Sequence, residues 1–415
     1  MAAQRYLACG ILLLLMVVAG RHGIGAYYFR EISPASVQKA MAWDPSNPQY
    51  PATTANLIHL YGDHADPEAV IRLYKTALRL SPFEAEYYVD LAQANEWAGH
   101  SSVANPLFLR AQELFPNSPE INWKVANYYV RAGKAQEALP ALKKVLSSGA
   151  VDDRQVFALV SNARIATNTI IAELLRSNAR SLIDYLNFQV DREDMAGAAQ
   201  TWERLLNLGD QFEINTAFHY LDALISFQEV ERALKVWSSL VERFPSVVPP
   251  SATDKNLVTN GDFRTSILNG GFDWRVNPVA GAAVTQDSSD SADGVRSLRV
   301  DFDGSQNLYY DSVAQFVATQ PNTRYDFSAL LGSDGITTDS GVGLRISDAY
   351  NPAELLGSTD TLIGTAPSSE HKFSFTTGPS MRLVLLTVIR VPSRKFDDKI
   401  AGTFRVGKVS IVPRP

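Results

Sequence analysis

Few residues of this chain stand at spacings that could carry out chemistry. The six histidines are scattered rather than set at the short spacings of a zinc site, and Cys9 is the single cysteine. The motifs of serine hydrolases, zinc proteases and dinucleotide-binding enzymes do not occur in the sequence. We therefore expect no metal ion, no cofactor and no catalytic residue.

Two patterns look like catalytic motifs but lack essential parts. Residues 402–408 (GTFRVGK) spell most of a phosphate-binding loop, yet Val409 stands where that motif needs Ser or Thr, and the segment is predicted to be a strand. Aspartates are paired at 152–153 and 397–398, but glycoside hydrolysis needs two carboxylates about 5 to 10 Å apart across a cleft. The chain is predicted not to be an enzyme, and a polysaccharide hydrolase is the least favoured alternative.

The composition is that of a folded protein with several domains. A chain of 415 residues is too long for one hydrophobic core, and 46% hydrophobic with 20% charged residues excludes wholesale disorder. The net charge of −6 gives no general attraction for phosphate backbones, so we expect no nucleic-acid partner.

Residues 7–20 (LACGILLLLMVVAG) form an apolar run, which is shorter than the about 20 residues that cross a bilayer. Cleavage of a signal peptide could follow Gly20 or Ala26, whereas residues 23–29 could extend the run into an uncleaved anchor. Residues 1–30 are therefore either a signal peptide or a membrane anchor. We expect the bulk of the chain in the periplasm, anchored to the inner membrane, or else secreted after cleavage.

A proline recurs every 34 residues in the first half of the chain, at Pro48, Pro82 and Pro116. Each follows an apolar stretch that is predicted to end a helix there, because proline breaks an α-helix. Small residues at one position of the period, Ala104 and Ala138, let two paired helices approach closely.

Further landmarks recur 35 residues apart, among them Trp202 and Trp237. At all these positions the chain resembles the tetratricopeptide repeat family over residues 40–245, with 151–179 as a degenerate unit. The resemblance implies an α-helical solenoid whose repeats bind a protein partner.

In this family the first helix of each pair lines a concave groove. Counting from the landmarks, we place five side chains there: Gln93, Trp97, Trp123, Asn127 and Arg131. Aromatic and amide groups suit contacts with a peptide or a saccharide. The alternative is that the two tryptophans fill seams between helices.

The composition changes after the repeats. Residues 245–252 (PSVVPPSA) contain three prolines, and residues 246–255 are predicted to be a linker. Beyond them apolar and polar residues alternate, as in 298–302 (LRVDF), and 381–391 (MRLVLLTVIRV) is predicted to be a central strand. Residues 256–415 are therefore predicted to form an antiparallel β-sandwich, or jelly roll.

This second part resembles carbohydrate-binding modules of the galactose-binding-like group. The resemblance is carried by NLVTNGDF at 256–263, FDW at 272–274, GVRSLRV at 294–300 and FRVGKVSIV at 404–412. It implies a polysaccharide ligand, for which our candidates are Trp274, Tyr309, Tyr310, Arg394 and Asp397. Trp274 has core packing as its alternative, and of the adjacent pair Tyr309 and Tyr310 one must leave the core.

The resemblance also implies a structural calcium ion, but Arg264 and Lys408 occupy the positions of its expected acidic ligands. Two cations would repel calcium, so we expect no calcium there. The alternative role of Arg264 and Lys408 is to pair with nearby aspartates such as Asp262.

The combination of membrane segment, repeats and jelly roll resembles proteins of bacterial exopolysaccharide and surface-export systems. We therefore expect a non-enzymatic scaffold of the cell envelope, with repeats that recruit a protein and a jelly roll that contacts glycan or protein. The alternative is a purely structural interaction protein, with a jelly roll that packs on its own repeats and binds no sugar.

Overall fold

The computed structural model describes residues 2–61, 66–175, 179–208, 212–247, 256–287, 296–396 and 398–414. Helices fill the first part of the chain and antiparallel strands the last part, which confirms the predicted fold class of a helical solenoid followed by a β-sandwich. The chain divides into two compact units, Met1–Asp184 and Tyr185–Pro415.

The helices of the first unit are α1 Ala2–Phe29, α2 Pro34–Trp43, α3 Gln49–Tyr61, α4 Pro67–Leu80, α5 Ala85–Trp97, α6 Ser101–Leu114, α7 Pro119–Arg131, α8 Leu139–Ser148, α9 Asp153–Asn162 and α10 Thr167–Glu173. Helix α11, Ala179–Asp191, spans the division between the units. The second unit continues with α12 Met195–Leu206, α13 Phe218–Ser226 and α14 Val230–Arg243.

The helix boundaries follow from local chemistry. The Ser118 hydroxyl accepts a hydrogen bond from the Ile121 amide at the start of α7, and Pro119 occupies the first turn, where its missing N–H costs nothing. The turns after α5 and α7 need a left-handed residue, which glycine provides at Gly99 (φ +82°) and Gly133 (φ +73°).

The landmark positions of the repeats lie inside the helix pairs. Ala77, Ala111 and Val145 are fully buried, as are Phe108 and Leu142 at another position of the period. The small side chains allow close contact and the large ones fill the seam, as the 34-residue period predicts. Two short helices, α9 and α10, occupy most of the segment that was predicted to be degenerate.

Ten strands form the sandwich: β1 Arg275–Val276, β2 Ala282–Asp287, β3 Ser297–Asp303, β4 Tyr310–Ala318, β5 Arg324–Ile336, β6 Gly343–Asp348, β7 Leu355–Ser358, β8 Gly364–Thr376, β9 Leu383–Arg390 and β10 Ala401–Pro413. The first sheet has the order β1-β4-β9-β6-β7 and the second sheet β2-β3-β10-β5-β8. Strand β9 confirms the predicted central strand, and the segment GTFRVGK lies in β10 as predicted.

The last helices belong to the same compact unit as the sandwich. The ring of Trp237 on α14 lies 6.1 Å from that of Phe272, and the Arg275 guanidinium pairs with Asp222 on α13. The division between the units at residues 184 and 185 therefore differs from the predicted linker at 246–255, of which residues 248–255 lie outside the described part of the chain.

Candidate functional site: one face of the helical repeats

Polar side chains line one face of two neighbouring first helices. On each helix they stand at positions i, i+4, i+7 and i+11, a spacing that keeps them on one side of an α-helix. We call this set the α5–α7 face: Glu86, Asp90, Gln93 and Trp97 on α5, with Glu120, Lys124, Asn127 and Arg131 on α7. Four of the five predicted groove residues belong to it. The fifth, Trp123, is partly buried beside it.

The carboxyl ends of the two helices are joined by a bidentate ion pair. The Arg131 guanidinium donates from Nε and Nη2 to the two carboxylate oxygens of Glu96, over 2.9 and 2.8 Å. Fork-to-fork geometry fixes the orientation of both groups more than it stabilises the fold, because partly exposed pairs contribute about 1 kcal/mol or less. Arg131 is thus held in place on the face, with its charge shared with Glu96.

Trp97 presents an aromatic surface next to this pair. Its side chain is 41% exposed, and its ring lies edge-on to His59 of α3 at 4.8 Å between centroids. Gln93 is partly buried, and the Asn127 amide donates to the Trp123 carbonyl oxygen at 2.8 Å. The face therefore combines an exposed aromatic ring with two amide groups, of which that of Asn127 is held by a hydrogen bond.

Asp90 is a member of the face that the sequence analysis did not select. Burial raises the pKa of its carboxyl to about 6, against the opposing effect of Lys124 and with further help from Glu86 and Glu120. A raised pKa means that the folded state holds this proton more tightly than the unfolded chain does. The contribution of Asp90 to the free energy of unfolding therefore falls as pH rises from about 4 through about 6, and the face gains one negative charge as pH rises through about 6.

Two of the predicted glycan-binding residues lie in the hydrophobic core, which corrects that prediction. Trp274 and Tyr310 are both 0% exposed. The Trp274 indole donates to the Asn260 carbonyl and packs on Phe263, while the Tyr310 ring lies 5.2 Å from Phe302. Fully buried rings offer no surface on which a sugar could stack.

Tyr309 lies outside the core, as the alternation along a strand requires for one member of this pair, and its side chain is 47% exposed. Arg394 is also exposed, on the loop that follows β9, with Phe396 fully exposed two residues later. The Asn307 amide donates to the Ser393 carbonyl at 2.8 Å, which brings the segment before Tyr309 beside this loop. Asp397, the remaining candidate, lies outside the described residues.

The buried side chain of Arg390 holds this end of the sandwich together. It is 0% exposed and donates to the carbonyl oxygens of Leu308 and Asp398, at 2.5 and 3.0 Å. It also donates to the Asn307 side chain at 2.8 Å and to the Ser340 carbonyl at 3.3 Å. One guanidinium group thus fixes three loops, because each of its N–H groups points at a different acceptor.

Helices cover the outward side of the first sheet. On β9, Val384, Leu386 and Val388 face the core, so Thr387 and Ile389 point outward, yet they are only 2% and 7% exposed. Contacts from α13 include the pair of Asp222 with Arg275 and the hydrogen bond from the Tyr350 hydroxyl to the Ile225 carbonyl at 2.9 Å, and Glu231 of α14 pairs with Arg382 just before β9. Arg275 also stacks 5.2 Å over the Phe316 ring on the same side of the sheet.

The position of the expected calcium ligands carries an ion pair instead. Arg264 Nε lies 2.8 Å from the Asp262 carboxylate, which confirms the alternative role of this arginine. Lys408 lies in β10 at a register shift, with an exposed side chain.

Asp90 and Arg390 were not selected from the sequence, and the sequence patterns that could have revealed them differ in strength. Asp90 could have been found from the acidic residues at 86 and 90 facing Glu120 and Lys124 one repeat later. Arg390 lies at the end of an apolar run, where its long side chain gives no sign of whether it turns inward or outward.

Fold and face together define a helical-repeat protein joined to an antiparallel β-sandwich. The chain matches no protein-family model and no curated protein. Among solved structures, a CBM4 module is 16% identical, with a TM-score of 0.29 over 38% of this chain and 99% of the module. MamA is 16% identical, with a TM-score of 0.28 over 46% of this chain and 91% of its own. YrrB, a TPR protein with an unusual peptide-binding site, is 14% identical, with a TM-score of 0.26 over 51% of this chain and 94% of its own.

Proposed function

We propose that this protein is a non-enzymatic scaffold of the cell envelope, anchored in a membrane by α1, whose α5–α7 face binds a protein partner. The observation that carries the proposal is the combination on one face of exposed Trp97 with the fixed Arg131–Glu96 pair. Tryptophan and arginine are the residues that most often dominate the energy of protein interfaces. Gln93 and Asn127 add amide groups that can pair with a peptide backbone.

The membrane part of the proposal rests on α1. Within the described residues, Arg5–Phe29 is a helix long and apolar enough to cross a membrane. We propose that the bulk of the chain lies in the periplasm and that its partner belongs to exopolysaccharide assembly or export. This assignment is supported by the combination of membrane segment, repeats and jelly roll, which resembles proteins of bacterial exopolysaccharide and surface-export systems.

The first test is a pull-down from membranes of cells that express the protein, with the full chain solubilised in detergent as bait. The variant Trp97→Ala combined with Asn127→Ala is expected to lose a specific partner about tenfold or more, since a hot-spot side chain contributes about 2 kcal/mol. Phe83→Ala is the matched control, because Phe83 is 71% exposed and lies outside the face. Equal recovery of every partner by all three baits would contradict the proposal.

A glycan contact by the sandwich is the second candidate function. The observation that favours it is the pair of exposed side chains at one end of the sandwich, Tyr309 and Arg394, beside loops that Arg390 fixes. Flat aromatic rings stack on sugars, and a guanidinium bonds to their hydroxyl groups.

The glycan contact is testable with the full chain in detergent on a broad array of bacterial polysaccharides. Binding that falls at least fivefold in Tyr309→Ala, and is unchanged in Leu355→Ala, is the expected result; Leu355 is 55% exposed on β7. Absence of binding to every glycan would leave the structural alternative, in which the sandwich packs on α13 and α14 and binds no sugar.

A further inference from the structure

Helix α1 has two parts with different surroundings. Residues 6 to 18 carry large apolar side chains that are exposed, from Tyr6 at 79% to Val18 at 42%. The part from Arg21 onward instead contacts α2 and α3, and Gly25 is buried among them. The two parts meet at Gly20 without a break in the helix.

The second part of α1 forms a helical hairpin with α2. Arg21 Nε donates to the Trp43 carbonyl at 2.9 Å, and His22 Nδ1 lies 2.6 Å from the Asp44 carboxylate. These contacts join the start of this part of α1 to the end of α2, so the two helices run antiparallel, with the turn at residues 30–33. The hairpin begins at residue 21, before residue 40, where the repeats were predicted to begin.

The helices of this hairpin pack closely at Gly25. A Cβ atom at Gly25 would lie 2.9 Å from Cβ of Asp44 and 3.2 Å from the Tyr50 hydroxyl. The Phe29 ring lies 4.9 Å from that of Tyr50 on α3, in contact with the small cluster around Val37. Residues 21 to 29 are thus part of the folded first unit and do not form a free linker.

Asp44 ties the hairpin together electrostatically. It is 3% exposed, and burial alone would raise the pKa of its carboxyl. Hydrogen bonds from Ser46 and His22, with the charge of His22, outweigh burial and lower the pKa. Ionised Asp44 therefore stabilises the folded state above the ordinary pKa of aspartate. This stabilisation is lost as pH falls through the lowered pKa of Asp44 in the folded state. Removal of the helix segment that carries His22 would leave a buried carboxylate without one of its partners.

The end of the hairpin that adjoins the apolar part of α1 carries Arg21 and Trp43. Trp43 is 44% exposed although it is large and apolar. Tryptophan concentrates at membrane–water interfaces, and arginine there extends its guanidinium toward lipid headgroups. The 16 helical residues from Arg5 to Gly20 span about 24 Å at 1.5 Å per residue, about 6 Å less than a hydrocarbon core of about 30 Å. Local thinning of the bilayer and outward extension of the flanking arginines accommodate a mismatch of this size.

We infer that the bilayer surface lies against Arg21 and Trp43, that α1 is retained without cleavage, and that the hairpin of α1 and α2 seats the first repeats on the membrane. Cleavage after Ala26 would remove His22 and Gly25 from the folded unit. Cleavage after Gly20 would need an extended chain within a helix that is continuous there. The inference rests on the proposed anchorage and adds the depth at which the anchor ends.

The test uses the full chain in two measurements. Intact mass of the protein purified from cell membranes is expected to include residues 2 to 29. In liposomes that contain lipids brominated near the headgroups, tryptophan fluorescence is expected to be quenched, and Trp43→Phe is expected to remove most of the quenched component. Trp97→Phe, which lies on the α5–α7 face, is expected to leave that component unchanged.

The possible outcomes distinguish a failure of the membrane anchor α1 from a failure of the hairpin to lie against the bilayer. A mature chain that lacks α1 and leaves the membrane would overturn both. A retained α1 whose quenching is the same in Trp43→Phe as in the unchanged protein would overturn the seating of the hairpin and leave the anchor in place. Binding of the protein partner is measured separately and does not depend on either result.

Discussion

Replacing Gly271 with alanine is expected to lower the free energy of unfolding of the sandwich by about 2 to 5 kcal/mol. The backbone at Gly271 is left-handed (φ +59°), which costs an L-residue about 1 to 2 kcal/mol. A Cβ there would also lie 2.4 Å from the Trp237 ring on α14, and relief of such overpacking costs about 1 to 3 kcal/mol more. Denaturant unfolding of the full chain, followed by strand circular dichroism, measures the loss.

Gly335→Ala is the matched control for this prediction. Gly335 has nearly the same backbone angle (φ +63°), but its added Cβ would meet nothing within 4 Å. We expect Gly335→Ala to lower the free energy of unfolding only by the cost of the left-handed backbone, about 1 to 2 kcal/mol. Equal losses in the two variants would show that packing of α14 on the sandwich contributes little to the stability of this unit.

Replacing Arg390 with methionine is expected to destabilise the sandwich by about 3 to 5 kcal/mol. Methionine fills a similar volume but leaves the carbonyl oxygens of Leu308, Ser340 and Asp398 without their donor in a buried setting, at about 1 to 3 kcal/mol for each group that stays unsatisfied. Burial lowers the pKa of Arg390, opposed by Asp398 and Asp339. Urea unfolding of the full chain gives the change.

Two further variants isolate the cause of this effect. Arg390→Lys is expected to recover less than half of the loss, because an ammonium group does not match acceptors arranged around a planar guanidinium. Arg414→Met, which removes a half-exposed pair with Asp326 at 3.6 Å, is expected to change stability by about 1 kcal/mol or less. Similar losses in Arg390→Met and Arg414→Met would refute the role of Arg390 as the group that fixes the three loops.

The repeats were predictable because their constraint is local and periodic. The prolines at Pro48, Pro82 and Pro116 follow α2, α4 and α6 within a few residues, and the small residues between them are buried where the period places them. The first hairpin was missed because the apolar run of α1 dominates the pattern there. The second part of the same helix packs on α2 and α3, and the hydropathy of the sequence reveals only the apolar first part.

In the sandwich, the local sequence pattern does not determine which side chains lie in the core. Alternation predicted the strands and required one of Tyr309 and Tyr310 to leave the core, but only tertiary packing decides which one. Trp274 was a candidate for sugar contact because of its residue type, whereas its indole lies inside the core. The cover that α13 provides to the first sheet depends on contacts between residues about 50 to 125 positions apart, such as Asp222 with Arg275 and Ile225 with Tyr350. No short-range pattern encodes such pairs.

The central claim is that the α5–α7 face holds a protein partner in the cell envelope. Its most direct test is photo-crosslinking in living cells, with a photoreactive amino acid at Gln93 on the face and, in a second strain, at Leu109 on α6, which is 42% exposed. We predict one dominant crosslinked partner from position 93, identified by mass spectrometry, that is absent from position 109 and lost when Trp97→Ala is added. Identical crosslinks from both positions, or none from position 93 in cells that produce the folded protein, would contradict the account.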